Sequence, residues 1–190
     1  AELTQKGVVF DTLQNALLKH GDLVREHLLK QPSKLGSEKF AALHEAFLED
    51  GAFIYVPKNT EIELPLGVFH YVCGAGATLF PHTLVVADEN SKVTVADFFR
   101  STCDHEKQFI CGGNDLFANH GAQLTYIAMQ DWSREALSLQ CNATVARRDA
   151  RVLSLNLHAG ARQARHESFS QLQAPGAHSE MLALTIAHGT

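Results

Sequence analysis

The chain has 190 residues, 45% of them hydrophobic, and a formal charge of −5, enough for one buried core and without the basic field that would draw a nucleic-acid backbone. The one basic run, Arg147-Arg148-Asp149-Ala150-Arg151, is broken by an acid and reads as a solvated strand face. No apolar stretch reaches the roughly 18 residues of a membrane span, and Ala1-Glu2-Leu3-Thr4-Gln5-Lys6 lacks the apolar centre of a signal peptide. No nucleic-acid or membrane partner is expected, and the cytoplasm is the expected location.

The first 50 residues carry helix signals. Asp11 has the carboxylate of an N-cap, with Gln14 at capping-box spacing, and Gly21 offers a left-handed stop. Asp22 can cap a second helix over Leu23, Val24, His27 and Leu28 that ends before Pro32. Ser37 can cap a third, whose stripe of Phe40, Leu43, Phe47 and Leu48 runs to Gly51. That stripe needs a surface, and the open end of a sheet or solenoid is the simplest one.

After Gly51 the hydrophobic period changes from 3.6 to 2. Phe53-Ile54-Tyr55-Val56 reads as a strand stopped by Pro57. Ile62 and Leu64 alternate with Glu61 and Glu63 up to Pro65. Further strands are expected at 83–87, 92–98, 123–129, 138–146, 152–157, 166–172 and 180–187. Residues 1–50 are thus expected to form a short helical segment and 51–190 an all-β core.

Four turns share one pattern, in which a turn-tolerant residue and a short linker precede an alternating strand. They begin at Asn90, Gly121, Asp149 and Gly176 and recur at 27- to 31-residue intervals. Asn, Gly and Asp are the residues that best tolerate a left-handed turn. So regular a strand-plus-turn unit is the pattern of a stacked solenoid, and its long period favours a β-helix over the alternative of a β-sandwich, which usually turns every 8 to 12 residues.

Several motifs resemble the SufB/SufD family. They are the segment from Lys39-Phe40-Ala41-Ala42-Leu43 through Asp50-Gly51-Ala52-Phe53-Ile54-Tyr55-Val56-Pro57-Lys58 and on to Glu61–Leu66; His82-Thr83-Leu84-Val85-Val86-Ala87-Asp88-Glu89-Asn90-Ser91; and Gly121–Tyr126 followed by Gln130-Asp131-Trp132. The likeness covers roughly residues 39 to 190. It implies a right-handed parallel β-helix and a scaffold role in iron–sulfur cluster assembly, without enzyme activity of its own. In that family SufB and SufD pair through their β-helices and bind the ATPase SufC. The missing cysteine-rich cluster motif and the loose middle region place this chain on the SufD-like side. A cluster would pass transiently through the full complex rather than reside on this piece, and a homodimer stays open. The resemblance implies a core truncated at both ends, consistent with a start that is not Met and a stop just after a strand-like run.

No catalytic residue can be named from the sequence, and cofactor-binding and metal-ligating residues stay unassigned. Cys103-Asp104-His105 is the nearest approach to a soft-ligand pair, with Cys111 eight residues past Cys103. Cys103 sits in a polar linker and reads as an exposed loop thiol, whereas Cys73 and Cys141 lie in apolar strands and read as core. His82, His120, His158, His166, His178 and His188 do not repeat with the solenoid period and read mostly as surface or turn residues. His44-Glu45 lacks the second His of a zinc helix. Gly74-Ala75-Gly76-Ala77-Thr78-Leu79 begins like a dinucleotide fingerprint but lacks its third Gly and its helix, so it reads as a loop. For Gln130–Trp132 the resemblance implies an interior-lining step, with a part in cluster or sulfur handling in a SufB-like chain and a packed aromatic with its turn in a SufD-like one, and the second reading is the one expected here.

A second reading, from another class, is a β-helix or cupin-like enzyme or a metal-binding protein using histidines. Sugar-cleaving β-helices need acids clustered along a groove. The acids here alternate with basic residues on strand faces.

Overall fold

The computed structural model describes residues 2–30 and 38–187. Its helices are α1 (Glu2–Gln5), α2 (Leu13–Lys19), α3 (Gly21–His27) and α4 (Glu38–Phe47). Its strands are β1 (Val9–Thr12), β2 (Ala52–Val56), β3 (Leu66–Val72), β4 (Thr78–Leu79), β5 (His82–Ala87), β6 (Lys92–Ser101), β7 (Phe109–Ala118), β8 (Gln123–Asp131), β9 (Leu137–Ala146), β10 (Arg151–His158), β11 (Gln163–Leu172) and β12 (His178–Thr185).

From β2 onward the chain winds as a parallel β-solenoid of about five turns. One sheet has the order β1-β2-β5-β7-β9-β11, with β4 beside β7, and the facing sheet has the order β12-β10-β8-β6-β3. Every pairing is parallel except β1 with β2. The turns expected at Asn90, Gly121, Asp149 and Gly176 all have positive φ, and Asn59 starts the column one coil earlier. The column is tied by backbone bonds: the amides of Asn59, Asn90, Gly121 and Asp149 donate to the carbonyls of Glu89, His120, Arg148 and Pro175. Each left-handed corner thereby satisfies its neighbour's carbonyl, which explains why the 27- to 31-residue spacing tolerates small differences in the intervening arc.

The core has two parts. Inside the coils lie Ile54, Val85, Val95, Leu116, Leu124, Tyr126 and Trp132, all buried. On the outer face of the first sheet, Phe53, Leu84, Val86, Phe117 and Val145 pack under Leu13 and Ala16 of α2 and Val24 of α3. β5 is therefore buried along its whole length and β7 nearly so. Strands covered on both faces lose the apolar–polar alternation, and β7 accordingly carries no strand signal in the sequence.

Five local expectations change. The Glu61–Leu64 alternation is an arc with one bridge, Glu61 to Lys92, and Leu64 is 78% exposed; the strand is β3, five residues on. Asp11 lies in β1 and does not cap: its carboxylate takes the Thr12 amide, Asn15 Nδ2 and Lys19 Nζ, while Thr12 Oγ1 caps α2 by accepting the Asn15 amide. Gln14 reaches the Glu49 carbonyl and makes no capping box. Gly21 starts α3, and His20 ends α2. The Ser37 cap and Pro32 lie outside the described residues. α4 does not cover an open end. It lies across the outer face at β7, where Cys111 Sγ donates to the Phe40 carbonyl, and the sheet's first edge is closed by β1 in antiparallel register.

Gly160 shows how tightly the coils are stacked. A Cβ there would sit 2.2 Å from the Trp132 carbonyl oxygen and 2.3 Å from its amide nitrogen, backbone atoms that cannot rotate away. The Gly160→Ala variant is expected to lose more than about 2 kcal/mol. In the Gly121→Ala variant the new methyl would meet only the end of the Asn90 side chain but would carry φ +68°, for an expected loss of about 1–2 kcal/mol. Urea unfolding midpoints of the two variants check both values and their order.

Candidate functional site

Among the polar residues that the fold buries, two constellations join side chains from several elements, one inside the solenoid and one beneath α4. The first is a chain of hydrogen bonds across the interior, interrupted by one non-hydrogen-bonded contact, at Asp97 Oδ1. It begins at His70 on β3, whose Nε2 lies 3.0 Å from Thr83 Oγ1 on β5 and 3.3 Å from Asp97 Oδ1 on β6. Tyr126 on β8 donates its hydroxyl to Asp97 Oδ2 at 2.6 Å and accepts from Asn114 Nδ2 on β7. Gln140 on β9 then donates to Asn114 Oδ1 at 3.0 Å and to Asn142 Oδ1 at 3.1 Å. Asn142 Nδ2 reaches Asn156 Oδ1 at 3.1 Å and His166 Nε2 at 2.8 Å. His166 ends the chain against His158, with ring centroids 4.4 Å apart.

The register builds this chain. Thr83, Asn114, Asn142 and Ser168 are successive parallel partners on one sheet, and Asp97, Ala128, Asn156 and Ala183 on the other. Side chains alternate along a strand, so one inward polar position per coil stacks into a column, and the two columns face each other. Where the facing residue is small, as Ala128 is, the amides of neighbouring coils meet across the gap. A cavity of about 20 Å³ remains between Gln130, Trp132, Gln140, His158 and His166, and Gln130 Nε2 at its wall has no hydrogen-bond partner. That space suits one water molecule.

Burial governs the titration of this interior. Desolvation, with His158 beside it, pushes His166 down to about 3, and desolvation alone lowers His158. The Tyr126 hydroxyl is pushed up by desolvation and by the Asp97 charge, so it stays a donor to that carboxylate.

The second constellation lies outside the first sheet. His44 of α4 places Nδ1 2.9 Å from the Cys111 carbonyl and Nε2 3.0 Å from His82 Nδ1. His82 Nε2 has no hydrogen-bond partner and stands 3.6 Å from Asp115 Oδ2, which accepts the Leu29 amide at 3.2 Å. Burial, with His44 and then His70 adding to it, pushes His82 down to about 3. Burial pushes Asp115 up to about 7 against the Leu29 hydrogen bond, and Glu45 adds to the rise.

The residues singled out in the sequence scatter. Cys103 is exposed, as expected, but Cys73 is exposed too, because it lies just past the end of β3, and Cys141 is only partly buried, because it points outward from β9. Cys111 is buried under α4, in register with Leu139 rather than with any ligand partner. His82 is buried and overturns the surface reading, His158 and His166 are half-buried against each other, His120 and His178 are exposed as expected, and His188 lies outside the described residues. The Gln130–Trp132 step is a packed aromatic, with Trp132 edge-on to Phe99. Gly74 and Gly76 make a turn with positive φ, and a strand follows. Arg147, Arg148 and Arg151 are exposed. Among the described residues no group of three or more His, Cys, Asp or Glu side chains could hold a metal ion. No helix among them is long and apolar enough to cross a membrane. Sequence reasoning missed Asp97, Tyr126 and Asn114, polar residues at inward strand positions, and Asp115, which faces outward beneath the helices; the face each takes is visible only once the register is known.

A parallel β-solenoid with a helical layer on one sheet and a polar column through its centre defines a class of stacked-coil proteins. Family comparison narrows it. Residues 70–190 match the family model described as "SUF system FeS cluster assembly, SufBD core domain", and residues 1–68 match "SufBD protein N-terminal region". The chain belongs to the SufB/SufD family, which takes part in iron–sulfur cluster assembly. It is 33% identical over 132 residues to the iron–sulfur cluster assembly protein SufD of Bacillus subtilis, a match covering 70% of this chain and 30% of that protein. It is 25% identical over 186 residues to SufB of the same organism, covering 98% of this chain and 40% of the relative. An iron–sulfur cluster assembly SufBD family protein of Pyropia yezoensis is 30% identical over 131 residues, covering 69% and 27%. The chain therefore spans about a third of the length of the curated relatives it matches.

The interior chain predicts two outcomes. Tyr126→Phe removes the group that both Asp97 and Asn114 bond and is expected to cost about 1–3 kcal/mol, read from the urea midpoint. Below pH 6.5 the unfolded chain takes up protons on His82 and His166 that the native state refuses down to about 3. Their stability contribution is thus present above 6.5 and lost as pH falls, by about 1.4 kcal/mol per unit for His82. Asp115 works in the opposite sense. Its raised value favours the native state below the ordinary carboxylate range, and this is lost as pH rises through about 7. Histidines outnumber that one carboxyl, so the urea midpoint is expected to fall between pH 7 and pH 5.

Proposed function

We propose that this chain is the core of a SufD-like scaffold subunit that pairs with a SufB-like chain and acts with a SufC-like ATPase. The observation that carries the reading is the pair of adjoining family-model matches over residues 1–68 and 70–190. The higher identity to a SufD than to a SufB of one organism, 33% against 25%, favours the SufD-like branch. In this reading the division near residue 50 separates a helical segment from the solenoid core. The solenoid supplies a rigid platform: its interior polar groups are bonded coil to coil, so displacing one coil breaks several hydrogen bonds at once. The iron–sulfur cluster enters as cargo of the assembled complex, and no step is assigned to side chains of this chain. The protein's place is the cytoplasm.

Co-expression of the full-length protein with a SufB-like and a SufC-like chain, followed by size-exclusion chromatography, tests the proposal. One co-eluting species containing all three chains is expected. Elution of the protein as a separate monomer beside a complex of the other two would overturn it.

A further inference from the structure

The group beneath α4 has a hydrogen-bond polarity that can be worked out atom by atom. The Cys111 carbonyl can only accept, so the facing His44 Nδ1, at 2.9 Å, carries a proton. A neutral His44 then has a lone pair on Nε2, and His82 Nδ1, 3.0 Å away, must donate to it. That leaves the lone pair of a neutral His82 on Nε2, a buried atom without a hydrogen-bond partner. The nearest acidic group is the Asp115 carboxyl at 3.6 Å, too long for a hydrogen bond as it stands and within reach of a small side-chain rotation.

Asp115 has the complementary need. It is 6% exposed, among the described residues no Lys or Arg pairs with it, and the Leu29 amide donates to it at 3.2 Å. A buried carboxylate with so little compensation is costly, and neutralising it by a proton is the usual relief. One proton serves both groups: on the carboxyl it can be donated to His82 Nε2, and on His82 it makes an ion pair with the carboxylate.

We propose that His44, His82 and Asp115 form a proton-loaded clasp, in which a single proton held between Asp115 and His82 fastens α4 and the end of α3 to the solenoid, and that acidification opens it. The elements joined are distinct: His44 belongs to α4, His82 to β5, Asp115 and Cys111 to β7, and Leu29 follows α3. Other titratable groups turned toward the clasp are Glu45 on α4, which acts on Asp115, and His70 on β3, which acts on His82. Cys141 on β9 neighbours Cys111, and His27 of α3 packs on Phe117, two residues from Asp115. Burial holds the Cys111 and Cys141 thiols above their ordinary range, so they stay neutral throughout.

The proton count makes the proposal quantitative. Closed, the three groups hold one titratable proton. Open and solvated, between about pH 4 and 6.5, they hold two, one on each histidine, with the carboxyl ionised. Opening therefore takes up one proton, and its equilibrium constant rises about tenfold for each unit of acidification. An Asn at 115 carries no titratable proton, and its Oδ1 in the place of Oδ2 would still accept the Leu29 amide. Opening of that variant takes up two protons, and its constant rises about a hundredfold per unit.

Hydrogen exchange of the α4 amides in the full chain and in Asp115→Asn, between pH 4.5 and 6 and corrected for intrinsic rates, tests the count. Slopes of about tenfold and a hundredfold per unit are expected. Equal slopes in the two proteins would overturn the proposal, because they would mean that the native pair holds no proton. Should the variant not fold, NMR of the wild-type protein at pH 6 decides. A protonated carboxyl at Asp115 or a protonated imidazole at His82 supports the clasp, and a carboxylate beside a neutral imidazole overturns it.

Discussion

Parallel stacking in register is the constraint on which the rest of this structure depends. Each coil repeats the path of the one before, so a residue turned inward in one coil lies over a residue turned inward in the next. Apolar residues meet this condition by packing, as Ile54, Val85 and Leu116 do along one sheet. Polar residues meet it only by bonding to a neighbour in an adjoining coil or the facing sheet. The chain from His70 through Asp97, Tyr126, Asn114, Gln140 and Asn142 to His166 is the outcome. Such a network rigidifies and specifies one stacking, since a slip of one residue would turn the whole polar set to the other face.

The same constraint shapes the outside. The first sheet turns a band of Phe53, Leu84, Val86, Phe117 and Val145 outward, and helices α2 and α3 bury it. The helical layer is thus part of the folding unit and not an appendage. It is also where polar groups from separate elements are pressed together without full pairing, at His44, His82 and Asp115. The interior column is satisfied almost throughout and suits a platform. The junction beneath α4 is strained electrostatically and suits a device that can release.

Legibility in the sequence followed exposure. Strands with one wet face, such as β6, β8 and β10, alternate cleanly and were readable, as were the left-handed corners at Asn90, Gly121, Asp149 and Gly176. β7 was not, because helices cover its outer face and its ten residues include Cys, Gly-Gly and Asn-Asp. β3 was displaced because Glu61–Leu64 imitates a strand between two prolines. Asp11 resembled a cap because Thr12, the true cap, follows it immediately. The meetings of His44 with His82 and of His158 with His166 are not legible in the sequence, because no linear spacing joins either pair and each meets across different elements.

By itself, the sequence determined the β-solenoid architecture, the corner column and the family, because each rests on local signals: alternation, left-handed turn residues and contiguous motifs. Only the tertiary structure decided which polar residues face inward, which thiols are buried and which histidines meet. Those outcomes depend on the register between coils and on where a helix lands. Register is a sum of many weak pairings over the whole stack, and no short stretch of sequence contains it.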